Sequence, residues 1–409
     1  MQRSRLDAMI CEQEGWKVLD RKEIEAVQLQ KLNRLLMREK QRGGFYRDLP
    51  SSLSSLSELS SLPFTTEDDL ARFTPGLLMT SQGEVSRVLS DATSGTTGLP
   101  KRVFYTQQDL ENTIALYVAG LGEMVFSEDR VMICFPFSGP GGLGELIAEA
   151  VSRLGAKALR CGASCSYGEV QQILNKERPN CFVGMPVQLL SILRTCGKGS
   201  LVRALVSGDA CPSSVLSAAE AILGTKLFPH YGSREMGMAG AITCHCHEGM
   251  HLRENQIIAE IVDTKGNPLP AGEWGELVIT TVGMEALPLI RYCTGDITRI
   301  FPEPCPCGSE TIRLDRIFRK GEAMQMLALD EALFALPGVV DYSVTKKKEK
   351  LFLSVLTTGE TDPSPFVRVS EPIIPGKQIS AEARSVLPAD RSLYPGKRRI
   401  LSEKETAIR

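Results

Sequence analysis

The sequence predicts an α/β protein: a large N-terminal part made of α/β layers with a β-rich subdomain, followed by a small α+β C-terminal lobe. Three observations predict it. Between residues 131 and 231, short β-rich runs (VMICF, NCFVG, RALVSG) alternate with helical patterns (GGLGELIAEAVSRL, PVQLLSILRT, PSSVLSAAEAILG). That is the texture of βα units whose strands pair in parallel under covering helices. Beyond Gln256 the texture changes to strands and tight turns: QIIAEIVD, the turn TKGNPLPAG, GELVITT, LIRY and DITRIF. The last stretch reads as a helix (DEALFAL) and two strands (GVVDYSV, KLFLSVL) around a charged turn at 346–350, which sets the domain division at 1–319 and 320–409.

The elements follow in order. Over residues 18–40, Ile24, Val27, Leu29, Leu32, Leu35 and Leu36 recur at helical spacing among charged residues, so an amphipathic helix is expected. The serine-rich stretch 51–61, with few charges and a loose leucine period, reads as a surface connection. Strands are expected at 85–89 and 102–105. Pro186 and Pro212 each stand where the first turn of a helix begins, a position that tolerates a missing N–H. The proline-bearing stretch 361–377 reads as an irregular loop in the terminal lobe.

Composition narrows the function. The chain has 409 residues, 47 Lys+Arg against 49 Asp+Glu, and a net charge of −2. A dedicated nucleic-acid binder needs a basic surplus to displace counterions, so that class is excluded. Apolar residues at 43% and charged residues at 23% are globular proportions. No apolar run approaches the ~18 residues of a membrane span, and the first thirty residues have no signal-peptide core, so a soluble cytoplasmic protein without a membrane partner is expected. The 12 cysteines are scattered too thinly for a disulfide framework. A homodimer is compatible with this composition, which leaves the oligomeric state open.

The most informative segment is Thr93-Ser94-Gly95-Thr96-Thr97-Gly98-Leu99-Pro100-Lys101. Two glycines let backbone N–H groups converge on an anion, the hydroxyls add donors, and Lys101 supplies a point charge. A phosphate-cradling loop fits these residues, as does a plain surface turn. It is not a Walker loop, because no Gly-Lys-Ser/Thr opens a helix here. A second constellation is Cys244, His251, Cys305 and Cys307, with the knuckle Cys-Pro-Cys-Gly aiming two sulfurs at one point; four such ligands close a tetrahedral structural Zn²⁺ site. His245, Cys246 and His247 are rivals to Cys244, and a set of reduced surface cysteines is the plain alternative.

The run TSGTTGLPK resembles the phosphate-loop signature of the adenylate-forming superfamily, which includes acyl-CoA synthetases. Its context, LPFTTEDDL upstream and LPLIRYCTGD downstream, is similar to the phenylacetate-CoA ligase branch, and the resemblance extends from about residue 20 to the C-terminus. Further segments occur in the superfamily's order. In His230-Tyr231-Gly232-Ser233-Arg234-Glu235 the resemblance implies that Tyr231 stacks on adenine beside Gly232 and that Glu235 helps hold Mg²⁺; Arg234 departs from the small hydroxyl residue found there. Ser207-Gly208-Asp209 is similar to the segment lying along adenine, and Asp296 matches the aspartate that accepts both ribose hydroxyls. Arg319-Lys320-Gly321-Glu322 resembles Gly-Arg-x-Asp, which implies Lys320 at the nucleotide and Glu322 as the hinge of a mobile terminal lobe. Lys397, in Tyr-Pro-Gly-Lys, matches the catalytic lysine, although a basic tail of Lys397, Arg398 and Arg399 also suits plain solvated charge.

The implied activity is ATP-dependent activation of a carboxylic acid to an acyl-adenylate with pyrophosphate release, followed by thioester formation with coenzyme A or a carrier-protein thiol. The departures at Arg234 and Arg319 motivate the alternative of a non-catalytic nucleotide-binding homologue, and the Cys/His set that of a zinc-centred interaction module. His230 faces either the acyl pocket or the end of a buried strand. The identity of the acid is not legible.

Overall fold

A computed structural model describes residues 4–91, 101–348, 350–385, 391–393 and 397–402. The chain divides into two compact units, one of Met1–Met124, Ser138–Leu154 and His230–Ile317, the other of Val125–Phe137, Gly155–Pro229 and Phe318–Arg409.

In the first unit the expected amphipathic helix spans Arg21–Arg42. Asp20 caps it by accepting from the Lys22 and Glu23 N–H groups, and Gly43, at φ +66, ends it in the left-handed conformation that suits glycine. An additional helix, Arg5–Glu14, precedes it, capped by Ser4. The stretch 51–61 is not a plain surface connection: its second half is a 3₁₀ helix, Leu56–Ser61, and Leu53 and Leu59 are buried. Two leucines supply enough apolar area to pin an otherwise polar segment.

The strands Arg87–Asp91 and Lys101–Tyr105 pair antiparallel, with Asp91 opposite Lys101. Thr93, Ser94, Gly95, Thr96, Thr97 and Gly98 lie outside the described residues. A β-rich part follows the expected pattern, with Ile258–Val262, Gly275–Thr280 and Tyr292–Thr298 adjacent and antiparallel. Within LIRY, however, only the tyrosine is strand. Arg291 has φ +49 and is buried; its guanidinium meets both Glu260 carboxylate oxygens at 3.0 Å, donates to the Ser60 and Leu62 carbonyls at 2.8 and 2.5 Å, and lies 4.1 Å from the Phe64 ring centre. It ties the turn before Asp296 to the serine-rich stretch.

The second unit contains the parallel sheet, in the order Lys157–Arg160, Arg130–Ile133, Cys181–Gly184, Arg203–Val206, then Phe228 and Pro229. Pro186 occupies the first turn of Pro186–Thr195, whereas Pro212 is the N-cap of Ser213–Leu223. Sequence reading passed over the strand Lys157–Arg160 and the helix Tyr167–Glu177, whose apolar runs are short and interrupted by charge. The C-terminal residues form the helix Glu322–Phe334 and a mixed sheet in the order Gln378–Ser385, Lys350–Thr357, Val339–Lys347, Ile400–Ser402. Leu329, Leu333 and Phe334 belong to one apolar cluster with Leu189, Leu190 and Val215 of the parallel-sheet helices, so this α+β segment shares its core with them. Within 361–377 a short helix, Ser364–Ser370, replaces the expected loop; the Asp362 carboxylate accepts from Ser364 N–H at 3.1 Å and Phe366 is buried.

Replacing Arg291 with alanine strands the Glu260 carboxylate and two carbonyls. The expected loss is about 3–5 kcal/mol, read as a lower urea midpoint; an unchanged midpoint would show that the clamp contributes nothing.

Candidate active site and metal cluster

The chain passes from the second unit into the first within the strand Phe228–Tyr231, where His230 lies opposite Ile242 and Tyr231 opposite Ala241. The Tyr231 hydroxyl donates to Asp296 Oδ2 at 2.8 Å. Asp296 is 8% exposed, and its N–H donates to Thr294 Oγ1 at 3.1 Å. Between them Gly295 adopts φ +74. Gly232 is required by a close approach: a Cβ there would sit 2.5 Å from the Met238 carbonyl oxygen and 2.7 Å from Ala239 Cα. The chain can double back after Tyr231 only because no side chain intervenes.

That return places Glu235 in the short 3₁₀ helix Arg234–Met236, buried beside Lys101. Lys101 Nζ lies 2.5 Å from Glu235 Oε1 and 3.2 Å from Glu67 Oε1, and the Tyr292 hydroxyl donates to Glu235 at 3.4 Å. Burial by itself would push the Glu235 carboxyl up, but the charge and hydrogen bond of Lys101 outweigh it and hold the group below its ordinary 4.5. Burial works against the Lys101 ammonium too, and the Glu235 charge outweighs it, leaving that group above its ordinary 10.5. Strand Tyr292–Thr298 therefore supplies a residue to each of two contact groups, Tyr292 to Glu235 with Lys101, and Asp296 to Tyr231. His230 is buried against Gly120, and burial drives its imidazole down to about 3, so it is neutral at physiological pH.

The second unit holds the other expected residues. Ser207, Gly208 and Asp209 directly follow the strand Arg203–Val206. Gly208 has φ +87, with the Phe135 ring 3.0 Å from where a Cβ would be. Asp209 Oδ2 accepts from the Arg398 N–H at 2.8 Å; burial pushes this carboxyl up, against the opposing pull of the Arg398 and Ala210 N–H groups and the Lys397 and Arg398 charges. Lys397 is exposed. Lys320 and Glu322 are also exposed and flank Gly321, and Glu322 lies 4.0 Å from Lys346.

Three participants were not singled out from sequence. Glu67, inside LPFTTEDDL, reads as an ordinary helix-opening acid, and Tyr292 as one more strand aromatic. Arg398 is not solvated tail charge: its side chain is buried, bonded to Asp330 at 2.8 Å and Asp341 at 2.7 Å, and stacked 4.4 Å from the Tyr342 ring centre. Its one legible signal was its neighbour Lys397.

Cys244, His251, Cys305 and Cys307 come together in the first unit, all buried, with their ligand atoms within 4.8 Å of one another. Of the rival donors, Cys244 is the one in the group, while His245 instead lies 3.4 Å from Glu123. Cys244 Sγ and Cys305 Sγ are 3.7 Å apart, and Cys307 Sγ is 3.4 Å from His251 Nε2. A tetrahedral ion with metal–sulfur bonds of ~2.3 Å requires a sulfur–sulfur edge of ~3.8 Å, so the four donors fit such an ion.

The first unit thus holds a buried lysine–glutamate pair, a tyrosine–aspartate pair and a Cys/His group whose donor spacing suits a metal ion. Residues 92–285 match the family of AMP-binding enzymes. The chain is 29% identical to a phenylacetate-coenzyme A ligase of Thermus thermophilus over 94% of this chain and 90% of that protein. It is 30% identical to a phenylacetate-coenzyme A ligase of Aromatoleum evansii over 68% of this chain and 64% of that one. Among solved structures, 2-hydroxyisobutyryl-CoA ligase in the postadenylation state superposes with a TM-score of 0.76 at 20% identity, covering 94% of this chain and 90% of that chain, a likeness of fold. Residues 92–285 thus match the AMP-binding enzymes, and over most of its length the chain is similar to phenylacetate-CoA ligases, as its motifs implied. The expected fold class holds with it. Among the described residues no helix is long and apolar enough to cross a membrane.

The Lys101–Glu235 pair gives stability a defined pH window. The depressed Glu235 pKa contributes stability above pH 4.5 that is lost as pH falls through its folded value; the raised Lys101 pKa contributes stability below pH 10.5 that is lost as pH rises through its own. Urea titrations from pH 3 to 7 are expected to show a shallower acid limb in Glu235→Gln than in the parent protein, and identical limbs would contradict the coupling.

Proposed function

We propose that this protein is an AMP-forming acid–thiol ligase. The observation that supports the reading best is that residues from separate stretches of the chain pair in the same compact unit, Lys101 with Glu235 and Tyr231 with Asp296. In this reading Tyr231 stacks on adenine, with Ser207, Gly208, Asp209 and Gly232 along the base, and Asp296 accepts both ribose hydroxyls through its carboxylate. The loop of Thr93, Ser94, Gly95, Thr96, Thr97 and Gly98, ending at Lys101, holds the departing phosphates. Mg²⁺ near Glu235 would neutralise charge on the phosphate oxygens.

A carboxylate oxygen of the acid attacks the α-phosphorus of ATP, the bond to the β-phosphate oxygen breaks, and pyrophosphate leaves with its electron pair. Negative charge grows on the α-phosphoryl oxygens, where Lys397 is aimed in this reading. The lobe 320–409 then turns about Glu322, Lys397 withdraws, and a thiolate, that of coenzyme A in the branch's named members, attacks the acyl carbon and releases AMP. Lys320 reaches the nucleotide. The four-ligand Cys/His cluster holds a structural Zn²⁺, since four protein donors leave no open position for a reacting water. The setting is the cytoplasm. Arg234, in place of a small hydroxyl residue, motivates the non-catalytic reading as the competitor.

Incubation with ATP, Mg²⁺ and a panel of aryl and short-chain acids in hydroxylamine is expected to release pyrophosphate only when the right acid is present. Lys397→Ala is expected to lower that rate by about 10²–10³-fold or more. Tight ATP binding without turnover for any acid would favour the non-catalytic homologue. Metal analysis should find about one zinc per chain; metal-free protein of equal stability would remove the zinc assignment.

A further inference from the structure

The mechanism makes no use of Asp7, a carboxylate that is 3% exposed in the first turn of the N-terminal helix Arg5–Glu14. The first N–H groups of that helix present partial positive charge beside it. Asp7 Oδ1 accepts from Ser309 Oγ at 2.5 Å, Ser309 Oγ lies 2.9 Å from Thr311 Oγ1, and Thr311 Oγ1 lies 2.8 Å from His251 Nδ1. On its other side the same imidazole turns Nε2 towards Cys307 Sγ at 3.4 Å. All of these groups lie in one compact unit.

The direction of this relay follows from counting hydrogens. A serine hydroxyl has one hydrogen, and Ser309 gives it to the carboxylate, which cannot donate. Towards Thr311, Ser309 Oγ can therefore only accept, and it accepts from the Thr311 backbone N–H at 3.2 Å as well as from the Thr311 hydroxyl. Thr311 Oγ1, its hydrogen so placed, can only accept from His251. The ring must then carry its proton on Nδ1 and leave the Nε2 lone pair facing the cysteines.

Resting on the zinc reading above, we propose that Asp7 is a positioning residue for the metal centre: through Ser309 and Thr311 it fixes the tautomer and orientation of His251, so that Nε2 is presented as the metal ligand. Outer hydrogen-bond partners of ligating histidines serve this purpose in metal sites generally. Here the partner comes from the first helix of the chain and acts through two hydroxyls, which couples the seating of that helix to the metal. The N-terminal part is also held at the same region by Arg21, which pairs with Glu254 at 2.8 Å, while Glu254 accepts from the Ile312 N–H at 2.7 Å.

The test uses the full-length zinc protein, a colorimetric chelator in excess, and three variants. Asp7→Ala and Ser309→Ala are expected to release zinc about 10–100-fold faster than the parent. Leu6→Ala, from the same helix and fully buried but outside the relay, is expected to lower the thermal midpoint while releasing zinc near the parent rate. With 4 histidines in the chain, ¹⁵N imidazole spectra are assignable. They are expected to show a protonated, slowly exchanging Nδ1 on His251 in the parent, with or without zinc, and its loss in Ser309→Ala. Parent-like zinc release in both relay variants, equal acceleration in Leu6→Ala, or an Nε2-protonated His251 would overturn the proposal. A parent protein that takes up no zinc would defeat the zinc reading instead, and the tautomer measured on the metal-free protein keeps the two failures apart.

Discussion

A lysine ammonium taken out of water must find a carboxylate, and the carboxylate must be out of water with it. Lys101 and Glu235 satisfy that demand for each other, and the rest of the candidate site is arranged around their meeting. Lys101 begins the strand that follows residues 92–100, and Glu235 ends the reversal that follows Tyr231. Joining them sets the start of the strand Lys101–Tyr105 against the reversal after Tyr231 and, through the Tyr292 hydroxyl on Glu235, against the strand Tyr292–Thr298. Neither charge is stable there alone, so the pair ties the correct path of several loops to a single electrostatic condition.

Loops as long as those leading to Tyr292 need their own anchors, because irregular backbone gains little from regular hydrogen bonding. Arg291 provides one by capping two carbonyls and pairing with Glu260. The cysteine–histidine cluster, with zinc bound as proposed, would provide another for the segments 244–251 and 305–311. Arg291 itself stands next to Tyr292 and holds the turn from which the strand Tyr292–Thr298 starts.

Sequence singled out residues that the fold brings together where a motif carried them in order: Tyr231 before a glycine that nothing else can replace, Asp296 after a turn glycine, and four sulfur and nitrogen donors with knuckle spacing. Partnerships were harder to read. Nothing near Lys101 in the chain says that Glu235 will be its counter-ion, and Glu67 looks like any acid at a helix start. Arg398 sat in an apparently basic tail and became a buried charge only because Asp330 and Asp341 fold against it. Asp7 carried no motif whatever. In the fold, Pro363 masked the helix Ser364–Ser370, and two buried leucines turned a serine-rich linker into an anchored segment; tertiary burial overrode local pattern in both.

In the proposed reaction a carboxylate oxygen of the acid bonds to the α-phosphorus of ATP. Isotope tracing tests it directly. With an acid labelled in its carboxyl group by ¹⁸O, full turnover in the presence of a thiol acceptor should leave one labelled oxygen in the AMP and none in the pyrophosphate. AMP free of label, or label recovered in pyrophosphate, would contradict the account.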